Sequence, residues 1–396
     1  MTGLVLVLNA GSSSLRSAVL EPTSGQAVFE GYQHDIGRGG APDHETAVRR
    51  ALEELVNDGP LADPSSLMAV GHRVVHGGPH FHGPVLVDDA VISQIKDLIP
   101  LAPLHNPASL AGIAASRRAF PDVPQIAVFD TAFHHTLPAK AHTYAVPREW
   151  RDRYGVRRYG FHGISFAFVA RRAAWLLGKP SAETNLIVMH LGNGASACAV
   201  RGGCSIDTSM GLSPVEGLVM GTRSGDVDPS LGPYLGRVAA LGSDQYEDDL
   251  NHGSGLLGLS GTADLKELER RRVRGDLDAA LAFDVMVYRI RKYLGAYAVA
   301  LGRVDAIAFT GGIGEHSPAL REAVLGDLAT LGVELDATAN LGPAAPERLI
   351  TTPASAVPAY VIPTNEELEI ARACGDLLAT GHEPPSQAGL GGPRSL

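Results

Sequence analysis

Cysteine is scarce in this chain. Its 396 residues include only Cys198, Cys204 and Cys374. An odd number with no CxxC spacing argues against a disulfide framework and a cysteine-based zinc site, and points to a reduced, cytoplasmic protein. Lysine is equally sparse: Lys96, Lys140, Lys179, Lys266 and Lys292 are the whole set. None completes GxxxxGK[ST], so a P-loop is excluded, and no GxGxxG follows the first apolar run, which disfavours a Rossmann dinucleotide site. Positive charge is in deficit overall, with 33 Lys and Arg against 43 Asp and Glu and a net charge of −10. That balance lacks the basic surface that nucleic-acid binding needs and argues against affinity for anionic membranes. No stretch of 18 or more strongly apolar residues is free of charge, so no transmembrane helix is expected. The N-terminal run lacks a preceding basic region and reads as a first strand, not a secretion signal.

What the chain does have is ample core material: 45% hydrophobic and 19% charged residues over a length that suits about two domains. Strands are expected at 4–8, 17–20, 69–75, 125–129, 186–190, 197–200, 306–310 and 359–362. Helices are expected at 45–56, 88–98, 107–119, 165–177, 231–240, 263–272, 277–301, 318–331 and 365–379. Strands alternating with long helices indicate an α/β protein. One internal echo stands out. The strand, glycine-and-hydroxyl turn and strand around Asn9-Ala10-Gly11-Ser12-Ser13-Ser14 recur around His190-Leu191-Gly192-Asn193-Gly194-Ala195-Ser196. A spacing near half the chain suggests duplication. The tail 382–396 is poor in apolar residues and rich in breakers, and is expected to be a flexible end.

Three turns could cradle phosphate, each after an apolar strand: 9–14, 192–196 and 311–317, the last reading Gly-Gly-Ile-Gly-Glu-His-Ser. Glycines let backbone N–H groups approach an anion, and hydroxyls add donors. Ser317-Pro318 marks a helix start. In His72-Arg73-Val74-Val75-His76-Gly77-Gly78 the two imidazoles lie on one face of a strand, too far apart for one ion, and Arg73 lies on the other. Arg223, between small residues in Gly221-Thr222-Arg223-Ser224-Gly225, has the look of an anion clamp. Asp130 ends a buried strand, where open α/β sheets put their ligands. His105 precedes a helix and His162 lies between Phe161 and Gly163. Thr364 and Glu367 have capping-box spacing, which gives Glu367 a structural role and leaves Glu366 as the candidate for Mg²⁺.

Together these blocks resemble the acetate kinase family, within the acetate and sugar kinase, heat-shock chaperone and actin superfamily. The first signature reads Val7-Leu8-Asn9-Ala10-Gly11-Ser12-Ser13-Ser14-Leu15-Arg16, and the second runs from Ala69 to Gly78. LAPLHNP, FDTAFH, YGFHG, HLGNG, GTRSGDVDP, GGIGE and NEE follow in the family's order, over about residues 4–380. The resemblance implies two actin-like, ribonuclease H-like domains with a duplicated core and a cleft between them. The N-terminal domain would comprise 1–134 plus 364–381, and 135–363 would carry the nucleotide and dimer surfaces. It implies a homodimer, with ATP/ADP and Mg²⁺, or Mn²⁺ in its place, as cofactors. Its activity would be direct in-line phosphoryl transfer between ATP and acetate.

Carried across, the resemblance makes Arg73 and Arg223 grip the carboxylate and the γ-phosphoryl group. His162 would bond the same group with His105 in support, and Asp130, Glu366 and Asn9 would sit at the metal. Asn9, Ser12, Ser14, Arg16, His190, Gly192, Asn193 and Gly194 would contact the nucleotide, and Gly311, Gly312, Ile313, Gly314 and Glu315 would flank its adenosine. Val75, Leu104, Phe161 and Pro214 would form an apolar acyl pocket, beside Arg73. The chain departs from the family pattern at Ile164-Ser165-Phe166, where Thr-Ser-His is common, and at His316, where Asn is common. A propionate or other short-chain acyl kinase is the nearest alternative, because one methylene in an apolar pocket discriminates by only about 1–3 kcal/mol. An actin-like nucleotide switch without a small acceptor would leave both arginines unused.

Overall fold

The computed structural model describes the whole chain except residues 1, 2, 12, 13, 38, 58, 62, 63, 327, 343–346 and 382–396. Ser12 and the expected flexible tail lie outside the described residues. The chain divides into two compact units, Met1–His135 with Asn365–Leu396, and Thr136–Thr364.

The first unit is built on β1 (Leu4–Ala10), β2 (Leu15–Leu20), β3 (Ala27–Gln33), β4 (Leu67–Val74), β5 (Val85–Leu86) and β6 (Gln125–Phe129), in the order β3-β2-β1-β4-β6-β5. β1, β4 and β6 run parallel, while β2, β3 and β5 are antiparallel to their neighbours. The central strands are largely apolar because both faces are covered. Leu6, Leu8 and Val70 pack on one face with Val48, Leu52 and Leu55 of the helix His44–Asn57. The helix Glu366–Thr380 lies on the other face. Gly71 admits it: a Cβ there would stand 2.7 Å from Ile370 Cγ2 and 2.8 Å from Cys374 Sγ. Side chains two apart share a face, so Arg73 points to the same side as Gly71, toward this helix's first turn.

The second unit contains β7 (Asn185–Leu191), β8 (Ala195–Arg201), β9 (Cys204–Thr208), β10 (Ala306–Thr310), β11 (Arg348–Leu349) and β12 (Ala359–Val361). Its order is β9-β8-β7-β10-β12-β11, with β7, β10 and β12 parallel and the others antiparallel. Strand for strand this repeats the first sheet, so the echo between the two hairpins reflects a duplicated α/β core. The helix Leu277–Leu301 starts on Asp276, whose side chain accepts from the Ala279 N–H at 3.0 Å, and stops at Gly302 with φ +73°. Both residues suit those places, an acid at the N-cap and a glycine past the end.

Two local expectations are corrected. Asn365, not Thr364, caps the helix Glu366–Thr380, accepting from the Leu368 N–H at 2.8 Å. The capping box therefore does not form, and Glu367 is released for another contact. The segment after β10 is not an extended turn: it winds at once into a helix, Gly311–His316, and a second helix, Pro318–Leu325, follows with Ser317 as its cap. That second helix ends short of the expected 331, where a separate 3₁₀ turn, Ala329–Leu331, takes over.

Candidate active site

In the first unit, β1, β4 and β6 deliver Asn9, Arg73 and Asp130 to the carboxyl ends of three adjacent parallel strands, the usual ligand side of an open α/β sheet. The Asp130 side chain is 1% exposed, and its N–H donates to the Val74 carbonyl at 3.0 Å. Arg73 grips it in a fork, donating through Nε to Oδ1 at 3.1 Å and through Nη2 to Oδ2. Its third nitrogen, Nη1, donates to Asn9 Oδ1 at 3.2 Å. The Asn9 amide nitrogen in turn donates to Glu366 Oε2 at 3.1 Å and Glu367 Oε1 at 2.9 Å. Burial works against the charge on Arg73, but Asp130, Glu366 and Glu367 outweigh it and hold the guanidinium's pKa above its ordinary value.

Asp130, Glu366 and Glu367 against one guanidinium leave an excess of two negative charges in this network. Hard oxygen donors with that excess suit a divalent cation such as Mg²⁺. Asn9 meets the carboxylates through its nitrogen, with its oxygen taken up by Arg73, so it bridges the two charges rather than turning its oxygen to a metal. Among the described residues no three His, Cys, Asp or Glu side chains form a ready-made metal cluster.

The first glycine turn is closed by Gly11 N–H to Ser14 O at 2.8 Å and tied to His44, whose Nε2 lies 2.8 Å from Gly11 O. Arg16 is exposed on β2, its guanidinium 5.5 Å from the centre of the Tyr32 ring. After Arg73 the chain is pinned by Asn106, which accepts from His76 N–H and donates to His76 O, both at 3.1 Å. His105 occupies the N-cap position of the helix Asn106–Ala119. Val75 is buried, whereas Leu104 is 54% exposed.

In the second unit, His162 sits in the left-handed region at φ +57°, just before the helix Gly163–Leu176. A non-glycine residue there is uncommon, and such strain gathers at functional sites. Its ring stacks on His190 with centroids 4.2 Å apart, and its Nδ1 lies 2.8 Å from Ser196 Oγ. His190 Nδ1 lies 2.8 Å from Ser165 Oγ. The opposite edge of His162 faces the glycine turn. A Cβ on Gly194 would stand 3.4 Å from Arg223 Nη1 and 3.6 Å from His162 Nε2, so the two nitrogens converge over bare backbone. Asn193 locks this turn to the arginine's loop: its carbonyl accepts from Gly221 N–H at 2.9 Å. Its side chain leaves no room for a Cβ on Gly221.

Arg223 differs from Arg73 in its company. Among the described residues it has no carboxylate partner, only the Pro214 carbonyl at 3.4 Å and the Met220 sulfur at 4.0 Å. Burial lowers its pKa below the ordinary value. Phe161 is buried and Pro214 half-buried.

Gly311 opens the third glycine segment at φ +77°, with the Leu191 carbonyl 2.7 Å from where a Cβ would lie. Glu315 folds back on its own helix and accepts from the Gly311 N–H at 2.9 Å, which spends its carboxylate on the backbone. Gly312 and Ile313 line a cavity of about 390 Å³ together with Gly192 and Asn193. Part of its lining was not foreseen: Asp264, Lys266 and Glu269, at and just after the start of the helix Leu265–Val273. Asp264 caps that helix by accepting from the Lys266 N–H at 2.9 Å, and Glu269 accepts from Ser317 Oγ at 2.5 Å. The sequence offered only an expected helix at 263–272, whose polar residues carry no signal that separates a cavity wall from a face in water.

The family model of the acetokinases matches residues 4–372. The chain belongs to the acetokinase family. It is 48% identical to the acetate kinase of Streptomyces griseus over 388 residues, 93% of this chain and 94% of that one. The crystal structure of Porphyromonas gingivalis acetate kinase superposes with a TM-score of 0.89 at 41% identity, covering 95% of this chain and all of that one. A propionate kinase from Francisella tularensis gives a TM-score of 0.87 at 38% identity, covering 94% and 98%. The acetokinase fold thus accounts for the two α/β units and their sheets.

Proposed function

We propose that the protein is an acetate kinase: it transfers the γ-phosphoryl group of ATP to acetate, reversibly, giving acetyl phosphate and ADP. An acetate oxygen forms the new bond to phosphorus, and the bond to the β–γ bridging oxygen breaks with its electron pair leaving on ADP. The observation that carries this reading is Arg223, a half-buried guanidinium whose hydrogen-bond partners are all neutral. A cation in that state is costly unless an anion arrives, and with His162 it offers two donors to one.

Phosphoryl transfer needs alignment and charge neutralisation more than covalent help. Acetate is already deprotonated at neutral pH, so no general base is required. In this reading Arg223 and His162 bind the phosphoryl oxygens, Arg73 receives the acceptor's carboxylate with His105 in support, and Val75, Leu104, Phe161 and Pro214 enclose the methyl group. The cavity beside Gly312 and Ile313 takes the adenosine, and the Gly192–Asn193–Gly194 turn and the first glycine turn take the phosphates. Asp130 and Glu366 would hold Mg²⁺, which supplies neutralising charge to the phosphate oxygens when bound.

The free state of all three cysteines supports a cytoplasmic location. Among the described residues no helix is long and apolar enough to cross a membrane. Homodimerisation is supported by apolar side chains left in solvent on the helix Leu277–Leu301, with Leu277 82% and Tyr288 66% exposed.

The test is trapping of acyl phosphate with hydroxylamine from ATP, Mg²⁺ and acetate, propionate or butyrate in parallel. Hydroxamate from acetate is expected, and its absence with every acid overturns the proposal. The likeness to a propionate kinase favours one second reading, in which propionate gives the higher kcat/KM.

A further inference from the structure

The turn that precedes the loop of Arg223 is folded around another carboxylate, that of Glu216. Arg158 Nη1 donates to the carbonyls of Ser209 and Met210, at 3.0 and 2.9 Å, and Nη2 donates to Glu216 Oε1. The Tyr144 hydroxyl donates to Glu216 Oε2 and accepts from the Leu212 N–H at 3.0 Å. Gly211 closes the turn because nothing larger fits: a Cβ there would lie 1.7 Å from Glu216 Oε2 and 2.1 Å from the Tyr144 oxygen. At the tip stands Pro214, whose carbonyl accepts from Arg223 Nη1. The neck of the following loop is closed by Gly217 and Asp226, joined by Gly217 N–H to Asp226 Oδ1 at 2.9 Å and Asp226 N–H to Gly217 O at 3.0 Å.

We propose that Glu216 is a positioning residue for phosphoryl transfer: held by Arg158 and Tyr144, it sets the 209–216 turn so that the Pro214 carbonyl aims Arg223 at the reacting group. A half-buried ion pair of this kind adds little net stability but fixes a geometry. Arg158 spends Nη1 on two backbone carbonyls of the turn, which ties the turn's shape to the carboxylate. Neither Glu216 nor Arg158 touches substrate in this scheme. Both act through Arg223, and the proposal rests on the role given to that arginine above.

The experiment is a double-mutant cycle read as kcat and KM for ATP and acetate, with melting temperatures alongside. Misplacing a catalytic group by about 1 Å costs on the order of 100-fold, so Glu216→Ala is expected to lower kcat by about that factor and leave the KM for ATP unchanged. Tyr144→Phe removes a single oxygen and should cost about tenfold, and it carries the test if Glu216→Ala fails to fold. In an Arg223→Ala background, each change is expected to cost nothing further, a non-additivity that a merely structural role would not produce. Parental kcat in Tyr144→Phe and Glu216→Ala, or full multiplicative losses in the Arg223→Ala background, overturns the proposal. Near-parental turnover of Arg223→Ala itself overturns the reading of Arg223 on which the proposal rests.

Discussion

The amide nitrogen of Asn9 stands 2.9 Å from Glu367 Oε1, closer than the 3.1 Å that separates it from Glu366 Oε2. Both acids therefore belong to the Arg73 network, and neither is spent on capping the helix they begin. Glu366→Gln and Glu367→Gln are each expected to raise the Mg²⁺ concentration needed for half-maximal activity. Asn365→Ala, by contrast, should cost about 0.5–2 kcal/mol of stability through loss of the cap with the metal requirement unchanged. Mg²⁺ titrations beside thermal melts separate these outcomes. A metal requirement that moves with Glu366 alone would return Glu367 to a structural role.

The two arginines are expected to part company in stability while agreeing in activity. Arg73→Ala removes the fork that grips the Asp130 carboxylate, which is 1% exposed, and should destabilise the fold by about 1.5–3 kcal/mol. Arg223→Met removes a half-buried charge that no carboxylate among the described residues pairs, so its melting temperature should stay close to the parent's. Its kcat should nonetheless fall by about 10³–10⁵. Denaturant melts and turnover on the same preparations decide this. An Arg223→Met protein clearly less stable than the parent would mean that the guanidinium has a partner that compensates its burial.

Val75 is buried two residues beyond Arg73. If it walls the acyl pocket, Val75→Ala makes room for a methylene worth about 0.8 kcal/mol. The ratio of kcat/KM for propionate over acetate should then rise a few-fold. An unchanged ratio removes Val75 from the pocket.

His72 links stability to acid. It lies fully buried with Nε2 2.8 Å from Gln125 Oε1, and burial pushes its pKa down to about 4 against 6.5 for an unburied ring. The folded state therefore binds a proton less readily than the unfolded one. The stability held above about pH 6.5 is lost progressively as the pH falls toward 4, by roughly 3 kcal/mol in all. His72→Gln cannot take up that proton, so its stability should fall less steeply across this window. Parallel slopes for the two proteins would show that His72 does not carry the effect.

The interior of the fold was legible because buried parallel strands and long capped helices leave plain patterns. Residues 125–129, 306–310 and 277–301 read from sequence coincide with the observed elements. β3 escaped notice because it is an edge strand, alternately exposed, with Gly31 in its middle. The 311–317 segment misled because glycines that usually break helices here begin one. Candidate residues that ended strands were recognisable from position alone, as Asp130 and Arg73 show. Lys266 and Glu269 were not, since a polar helix face toward a cavity has the same composition as one toward water. Glu367 was given a capping role because Thr364 and Glu367 have capping-box spacing, whereas the helix starts one residue later with Asn365 in the cap and Leu368, which cannot cap, at the matching position.

The helix Glu366–Thr380 has a consequence for synthesis. It covers β1 and β4, and Gly71 is shaped to receive it, yet the ribosome makes it some 292 residues (366 − 74) after β4 ends. At about 5–20 residues per second, the nascent first sheet waits roughly 15–60 s with one apolar face bare, while the entire second unit is translated and free to fold. Vectorial folding is thereby inverted, since the half made first is the half finished last. The same late helix brings Glu366 and Glu367, so no nascent chain can complete the hydrogen-bond network of Asn9 and Arg73 before the second unit has been translated.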